Sequence, residues 1–389
     1  MKKILFVLGI LLSLGAAAQD GIHFEHASWS DIKAKAIKEN KLIFVDFYTQ
    51  WCGPCYNMAK EVFVLESVGS FYNTNFVNAK IDAENGEGVE LAKKYKVRSY
   101  PTLLFIDPKT EAVVHESSSR QEKATFLFTG ASALDPKKRS PYLMEQMKQG
   151  NTNPEFLMDY AAYAASRYDR GSVDRIAEQL ATVKGYSLEN ERVWNLFVSS
   201  VGGRDKNYFK ELISSYDKLA AKYGKKAVDG KLFKEFSSCQ DEAEFAAAPN
   251  FEGKDFLVKK GKAEKLVRAK SYEEAAKAID ELMANPGAFK EELCSFLRYT
   301  GRMINYGEYP EFWKKKCMSY TQYVAYNIYD KDDAYAQYEY ASMLEKVIKS
   351  MPDADKYFPE SIIKEPAYGN TEYSLRPADL KKKNPNRKK

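Results

Sequence analysis

Short apolar runs recur through the first third of the chain. Residues 42–48 form a run that a single aspartate interrupts, and residues 76–81 and 102–106 form two more. Runs of this length are typical of strands that are buried on both faces of a sheet. Residues 112–115 follow the third run after a turn, which predicts an antiparallel partner strand.

Amphipathic stretches separate these predicted strands. The first covers residues 31–39, with Ser30 as its expected N-cap and Asn40 at its end. A second begins at the Cys-x-x-Cys motif of residues 52–55 and runs to about residue 66. A strand, a helix and a parallel strand in this order form a right-handed βαβ unit. The pattern therefore predicts an α/β domain in which helices flank a central mixed sheet.

Helical patterns replace strand patterns after residue 135. Two predicted helices, within residues 140–150 and 153–171, start with a cap residue and a proline and stop at a glycine. The further helical stretches lie near residues 173–183, 188–200, 206–222, 256–269, 272–284, 288–304, 311–329 and 333–350. We therefore predict an all-α domain of helical hairpins after the α/β domain.

Two local patterns bear on the architecture of this helical part. Residues 271–274 have the form of a capping box, and the residues that follow resemble a tetratricopeptide helix pair, although no clean internal period is present. Tyr320, Tyr323, Tyr326 and Tyr329 recur at every third position. We interpret them as helix-packing residues, and a groove that holds client polypeptides is the alternative.

The N-terminus has the pattern of a secretory signal peptide. Lys2 and Lys3 precede an apolar run over residues 4–14, and alanines follow as far as Ala18, where we expect cleavage. A membrane anchor is the alternative, but the run is shorter than the ~20 residues that a span needs. We expect a periplasmic or secreted protein that is soluble after cleavage. The predicted parts are a signal peptide at 1–18, an α/β domain at 19–135, an all-α domain at 136–351 and an extended polar and basic tail at 352–389.

Charge argues against nucleic acid as a partner. The formal net charge of the 389 residues is +5, and residues 381–389 alone hold six lysines and arginines. Without this tail no general basic field remains to attract a polyanion. We therefore expect no nucleic-acid partner, and the sequence does not indicate an oligomeric state.

Five cysteines are too few to stabilise a chain of 389 residues mainly through disulfide bonds. Cys52 and Cys55 share one motif, while Cys239, Cys294 and Cys317 are scattered, and we expect these three to be buried as small apolar residues. A bridge between Cys294 and Cys317 remains an alternative. Because no second Cys-x-x-Cys or histidine pair lies at metal-ligand spacing, we predict no metal site.

The Cys-x-x-Cys motif lies where a buried strand gives way to a helix. A thiol attacks a disulfide as the thiolate, and the positive end of a helix stabilises that anion at Cys52. Pro54 preorganises the first helical turn, and Cys55 lies one turn further on the same face. We therefore assign attack to Cys52 and release of the product to Cys55. A static disulfide is the alternative, although a loop this short removes little chain entropy.

Three segments resemble one known family. The residues VDFYTQWCGPC at 45–55, KID at 80–82 and YPT at 100–102 are similar to thioredoxins and protein disulfide isomerases. The resemblance is strongest to the C-terminal thioredoxin-like domain of transmembrane disulfide reductases and to its secreted bacterial relatives. It covers roughly residues 22–130 and implies a thioredoxin fold with a catalytic Cys52–Cys55 disulfide and no other cofactor.

The resemblance also implies roles for residues around the cysteines. Asp46 corresponds to the buried acid that handles the proton of Cys55, and Pro101 corresponds to a cis-proline that leaves the Tyr100 backbone free to pair with a substrate strand. Trp51 is expected to shield the sulfurs. The expected substrate-binding residues are Trp51, Gly53, Pro54, Tyr100, Pro101 and Thr102.

The sequence departs from the family pattern beside the buried acid. Thioredoxins commonly place a lysine there on the neighbouring strand, whereas this chain has Asn78, and Lys80 is the candidate substitute. Pro54 resembles reducing members of the family, while Tyr100 resembles disulfide isomerases. We expect a reductase or isomerase of protein disulfides that a membrane-bound electron donor supplies. The alternative is a thioredoxin-fold adaptor or chaperone-like protein whose helical domain holds a partner.

Overall fold

A computed structural model of the chain describes residues 21–327. Contacts divide the chain into two compact units, Met1–Val201 and Gly202–Lys389. The signal peptide predicted at 1–18, the helix predicted at 333–350 and the tail predicted at 352–389 lie outside the described residues. Within residues 21–327, no helix combines the length and the apolar character needed to cross a bilayer.

The first unit contains a five-stranded mixed sheet in the order β1-β3-β2-β4-β5. Strands β1 and β2 run parallel to β3, whereas β4 is antiparallel to β2 and β5 is antiparallel to β4. The strands are β1 (Phe24–Glu25), β2 (Leu42–Tyr48), β3 (Phe76–Asp82), β4 (Thr102–Ile106) and β5 (Val113–Ser118). The helices are α1 (Trp29–Glu39), α2 (Gly53–Glu61), α3 (Glu66–Asn75), α4 (Glu87–Lys94), α5 (Lys123–Leu134), α6 (Ser140–Lys148), α7 (Pro154–Ser166), α8 (Arg170–Leu180) and α9 (Glu191–Ser200).

Strand β2 lies at the centre of the sheet because its side chains are apolar on both faces. Val45 and Phe47 join one buried cluster with residues of α1 and α4. Phe44 joins the opposite cluster, where the rings of Tyr72 and Phe126 stack with centroids 4.3 Å apart. Truncation of a buried Phe such as Phe44 to Ala would cost about 3 to 5 kcal/mol. The predicted mixed sheet with flanking helices is confirmed.

Three helix boundaries differ from the sequence prediction. Helix α1 begins at Trp29, and its N-cap is Ser28 rather than Ser30, because the Ser28 hydroxyl accepts the Asp31 N–H. The helix predicted to run to about residue 66 ends at Glu61, and α3 begins separately at Glu66. The helix predicted to stop at residue 171 ends at Ser166, so that Gly171 lies in the first turn of α8. Asn40 ends α1 as predicted, in the left-handed conformation with φ 51°.

Helices α6 and α7 pack against β5 within the first unit. The Ser140 N–H donates to His115 Nδ1 at 2.9 Å, and the Glu116 N–H donates to Ser140 Oγ at 3.0 Å. The Ser117 hydroxyl donates to the Ser166 carbonyl at 2.7 Å. The first compact unit therefore continues past residue 135, where we predicted the α/β domain to end, as far as Val201.

The described part of the second unit is helical. Helix α14 packs on α15, and α16 packs on α17. The helices are α10 (Asn207–Ser214), α11 (Tyr216–Tyr223), α12 (Lys225–Phe236), α13 (Glu242–Ala247), α14 (Lys254–Arg268), α15 (Tyr272–Ala284), α16 (Lys290–Arg302) and α17 (Glu311–Asn327). This confirms the predicted all-α region, although the sequence did not predict α12 and α13.

Two local expectations in the second unit have different outcomes. Ser271 occupies the N-cap position of α15, but its side chain makes no capping hydrogen bond, so the predicted capping box does not form. Tyr320 is fully buried, as the packing interpretation of the tyrosines requires. Tyr329 lies outside the described residues.

The buried His115 generates a prediction about stability. Burial, with a smaller contribution from the positive charge of Arg139, lowers the His115 pKa to about 3 from its ordinary 6.5. Between these values the unfolded chain binds a proton that the folded chain does not bind, so stability falls as the pH falls. We expect this residue alone to lower the free energy of unfolding by about 1 kcal/mol per pH unit from pH 6 to pH 4.

The test compares the wild type with His115→Asn, whose side-chain oxygen can still accept the Ser140 N–H but does not titrate. Urea denaturation at pH 4, 5, 6 and 7 should show a flatter stability profile for the variant. Parallel profiles for the two proteins would contradict the assignment of a neutral buried His115.

Candidate active site

Cys52 and Cys55 lie at the junction between β2 and α2. Cys52 is the N-cap of α2, and the two cysteines are joined by a disulfide. The Cys55 N–H donates to Cys52 Sγ at 3.1 Å. Both residues are almost enclosed, with exposed fractions of 5% for Cys52 and 2% for Cys55. A reacting group that reaches the sulfur atoms must therefore also contact the residues that surround them.

The start of α2 suits a sulfur anion. The first N–H groups of a helix have no partner within the helix, and the macrodipole places partial positive charge there. At this helix the Cys55 N–H already points at Cys52 Sγ. Pro54 lies in the first turn, where the absence of an N–H costs nothing. This arrangement favours Cys52 as the thiolate once the disulfide is reduced.

Asp46 lies on β2 and is completely buried. Neither of its carboxylate oxygens has a hydrogen-bond partner among the protein atoms. Burial raises the Asp46 pKa to about 7, and the positive charge of Lys80 offsets part of that rise. A carboxyl group with this pKa can both accept and donate a proton near neutral pH.

Asn78 and Lys80 have different neighbours on β3. Lys80 is paired with Asp46 in the strand register, and its ammonium group lies 4.7 Å from the centre of the Tyr48 ring. Asn78 is paired with Phe44, and its amide donates to Asn73 Oδ1 at 3.0 Å. The structure therefore places Lys80, rather than Asn78, across from the buried acid.

Trp51 and Tyr100 form an aromatic pair beside the disulfide. The Trp51 ring is about half exposed and meets the Tyr100 ring edge-on, with centroids 5.8 Å apart. The indole N–H of Trp51 donates to the Glu84 carboxylate at 3.0 and 3.1 Å. Sequence reasoning missed Glu84, because nothing local links it to a residue 33 positions earlier.

The remaining predicted site residues lie on two segments. Gly53 and Pro54 are exposed in the first turn of α2, while Pro101 is buried and follows Tyr100 through a cis peptide bond. Thr102 begins β4 opposite Phe47 of β2, and its hydroxyl donates to the Ser99 carbonyl at 2.7 Å.

The other three cysteines have no disulfide partner. Cys239, Cys294 and Cys317 are free and buried, so the alternative bridge between Cys294 and Cys317 is absent. Burial raises the pKa of all three thiols, which makes each a weaker nucleophile near neutral pH. No cluster of metal-ligating side chains is present among residues 21–327.

Comparisons with known proteins agree with this site. Residues 24–127 match the family model for thioredoxin. Thioredoxin-1 of Drosophila yakuba is 46% identical over 68 residues, which are 18% of this chain and 59% of that protein. Protein disulfide-isomerase 1 of Dictyostelium discoideum is 29% identical over 113 residues, which are 29% of this chain and 31% of that protein.

Among solved structures, a candidate disulphide-isomerase from Bacteroides thetaiotaomicron is 42% identical, with a TM-score of 0.28. The match covers 30% of this chain and 95% of that one. This chain spans less than two thirds of the length of the Drosophila and Dictyostelium relatives. Residues 24–127 are a domain of the thioredoxin family, and the helices that follow lie outside the family match.

The buried carboxyl group generates a second prediction. Because the Asp46 pKa is about 7 in the folded chain and 3.8 ordinarily, the folded state holds a proton that the unfolded state loses between these values. The stability linked to this proton is full below pH 3.8 and is lost as the pH rises through 7. Asp46→Asn should therefore be more stable than the wild type at pH 8, by about 2 to 4 kcal/mol.

Urea denaturation of the oxidised proteins at pH 4, 6 and 8 checks this expectation. The difference between variant and wild type should grow with pH and should be small at pH 4. A difference that does not change with pH would show that Asp46 titrates in the folded protein as it does in water.

Proposed function

We propose that this chain is an extracytoplasmic thiol–disulfide oxidoreductase that reduces or isomerises disulfides of protein clients. The observation that carries the proposal is the Cys52–Cys55 disulfide at the start of α2, which follows a strand that carries a buried carboxyl group whose pKa is about 7. A static bridge would need neither a helix N-terminus that stabilises a thiolate nor a buried acid on the preceding strand.

The residues suggest the following reduction. The Cys52 thiolate attacks one sulfur of a client disulfide, so that a mixed disulfide forms and the first client thiolate leaves. Asp46 accepts the proton of the Cys55 thiol, and the resulting thiolate attacks Cys52 Sγ. The second client thiolate leaves and is protonated. Two electrons have then passed to the client, and the protein holds the Cys52–Cys55 disulfide.

Repeated turnover requires a source of electrons outside the chain. We propose a membrane-bound dithiol donor, because the N-terminal pattern of a signal peptide supports export and the sequence motifs around the cysteines resemble the thioredoxin-like domain of transmembrane disulfide reductases. The same exchange chemistry, run on a client with mispaired cysteines, isomerises disulfides when the client's own thiol resolves the mixed disulfide.

The assignment of the nucleophile gives a direct test. Cys52→Ser should reduce insulin, with dithiothreitol as electron source, only at the uncatalysed rate, because its hydroxyl cannot form the mixed disulfide. Cys239→Ala is the matched control, since it removes a buried thiol from the second unit and should leave the rate unchanged. Equal rates for the wild type and Cys52→Ser would favour the adaptor function instead.

The direction of electron flow is a separate prediction. A Gly-Pro spacer between the cysteines is typical of reducing members of the thioredoxin family. Equilibration with glutathione should therefore give a reduction potential of about −270 mV for the Cys52–Cys55 disulfide, rather than about −120 mV. Quantification of the oxidised fraction across a glutathione redox series measures it. A potential as high as that of strong oxidants would contradict the proposed reductase function and would favour an oxidase function instead.

A further inference from the structure

The surface beside Cys52 is open at Gly53. A Cβ atom built on Gly53 would meet nothing within 4 Å, and the backbone there is not in the left-handed region that favours glycine. Neither the conformation nor the packing of the described residues therefore requires glycine at this position. The missing side chain leaves room next to Cys52 for a group that comes from outside the chain.

Tyr56 borders this open surface. It lies four residues after Cys52, and its N–H donates to the Cys52 carbonyl at 3.1 Å. A helical side chain leans toward the N-terminus of its helix, so the Tyr56 side chain is directed toward the turn that carries Cys52. With 65% of its surface exposed, Tyr56 is the most exposed large hydrophobic residue among the described part of the first unit.

The chain segment that contains Cys52 also lacks charged side chains. Residues 51–59 contain no lysine, arginine, aspartate or glutamate. The nearby Glu84 carboxylate accepts the hydrogen bond of the Trp51 indole. Trp51 and Tyr56 therefore present aromatic surface in a segment that has no charged side chain. Such a surface favours apolar side chains of a client over charged ones.

Disulfide exchange determines what occupies this surface. The client sulfur must reach Cys52 Sγ, and Cys52 is only 5% exposed. The residues on either side of the client cysteine must consequently lie along the exposed surface next to Cys52, to which Gly53, Trp51 and Tyr56 contribute. A client segment in the extended conformation can bring its cysteine to Cys52 while its neighbouring side chains lie along this surface.

We propose that Tyr56 is a specificity-determining residue that, together with Trp51, selects client cysteines flanked by aromatic side chains in extended segments. The inference rests on the proposed oxidoreductase function and adds a substrate class to it. An aromatic pair contributes about 0.5 to 1.5 kcal/mol beyond the buried area, which corresponds to roughly a twofold to twelvefold preference in rate.

The test uses two uncharged peptide disulfides that differ only beside the cysteine. One is the disulfide-linked dimer of Ac-Ser-Phe-Cys-Phe-Ser-amide, and the other has glycine in place of both phenylalanines. The reduced full-length protein is mixed with each peptide, and the second-order rate of thiol release is measured. We expect the wild type to reduce the phenylalanine peptide at least about twofold faster than the glycine peptide.

Variants then separate Tyr56 from other exposed aromatic residues. Tyr56→Ala should lower the ratio of the two rates toward one, and Tyr56→Phe should retain the wild-type ratio because the ring is kept. Tyr142→Ala is the matched control, since it removes a partly exposed tyrosine from α6 and should leave the ratio at the wild-type value.

The possible failures are distinguishable. If the wild type reduced both peptides at equal rates, or if Tyr56→Ala lowered both rates by the same factor, the exchange function would stand and the specificity inference would fall. If the wild type reduced neither peptide faster than Cys52→Ser did, the oxidoreductase function itself would fall, and the inference with it.

Discussion

The short connection between β2 and α2 is the constraint on which the site depends. Four residues, Thr49 to Cys52, separate the end of the central strand from the first helical residue. Because β2 is held by buried side chains on both of its faces, the start of α2 is fixed relative to the sheet. Cys52 thereby acquires the position of helix N-cap, and Asp46 remains on the strand that leads to it.

The same strand also carries an electrostatic cost. A carboxyl group with no hydrogen-bond partner in an apolar interior disfavours its own charged form. Lys80 offsets the effect only in part, because its ammonium group lies over the Tyr48 ring and makes no ion pair with Asp46 among the described residues. The chain therefore keeps at its centre a group that lowers stability at neutral pH. Such a cost is common where burial adjusts a pKa for proton transfer.

The sequence predicted the elements that local pattern determines. The bounds of β2 and β4 are as predicted, because apolar runs of this length are typical of strands in a sheet covered on both faces. Helix α12 was missed because glycines precede it and interrupt it, which masks its helical pattern. The break between α2 and α3 falls among apolar residues that a helix could equally bury. Contacts between distant segments, such as His115 with Ser140 or Trp51 with Glu84, leave no mark on the sequence, so those partners could not be predicted.

The packing of α6 on β5 affects whether the edge of the sheet can pair with a strand of another chain. An outer strand whose N–H and C=O groups lack partners is a template on which another chain can add a strand. Here Ser140 caps the Glu116 N–H of that strand, and the opposite margin of the sheet is only two residues long, Phe24–Glu25. Neither margin offers a long ladder for intermolecular pairing, so the sheet is a poor template for aggregation with other chains.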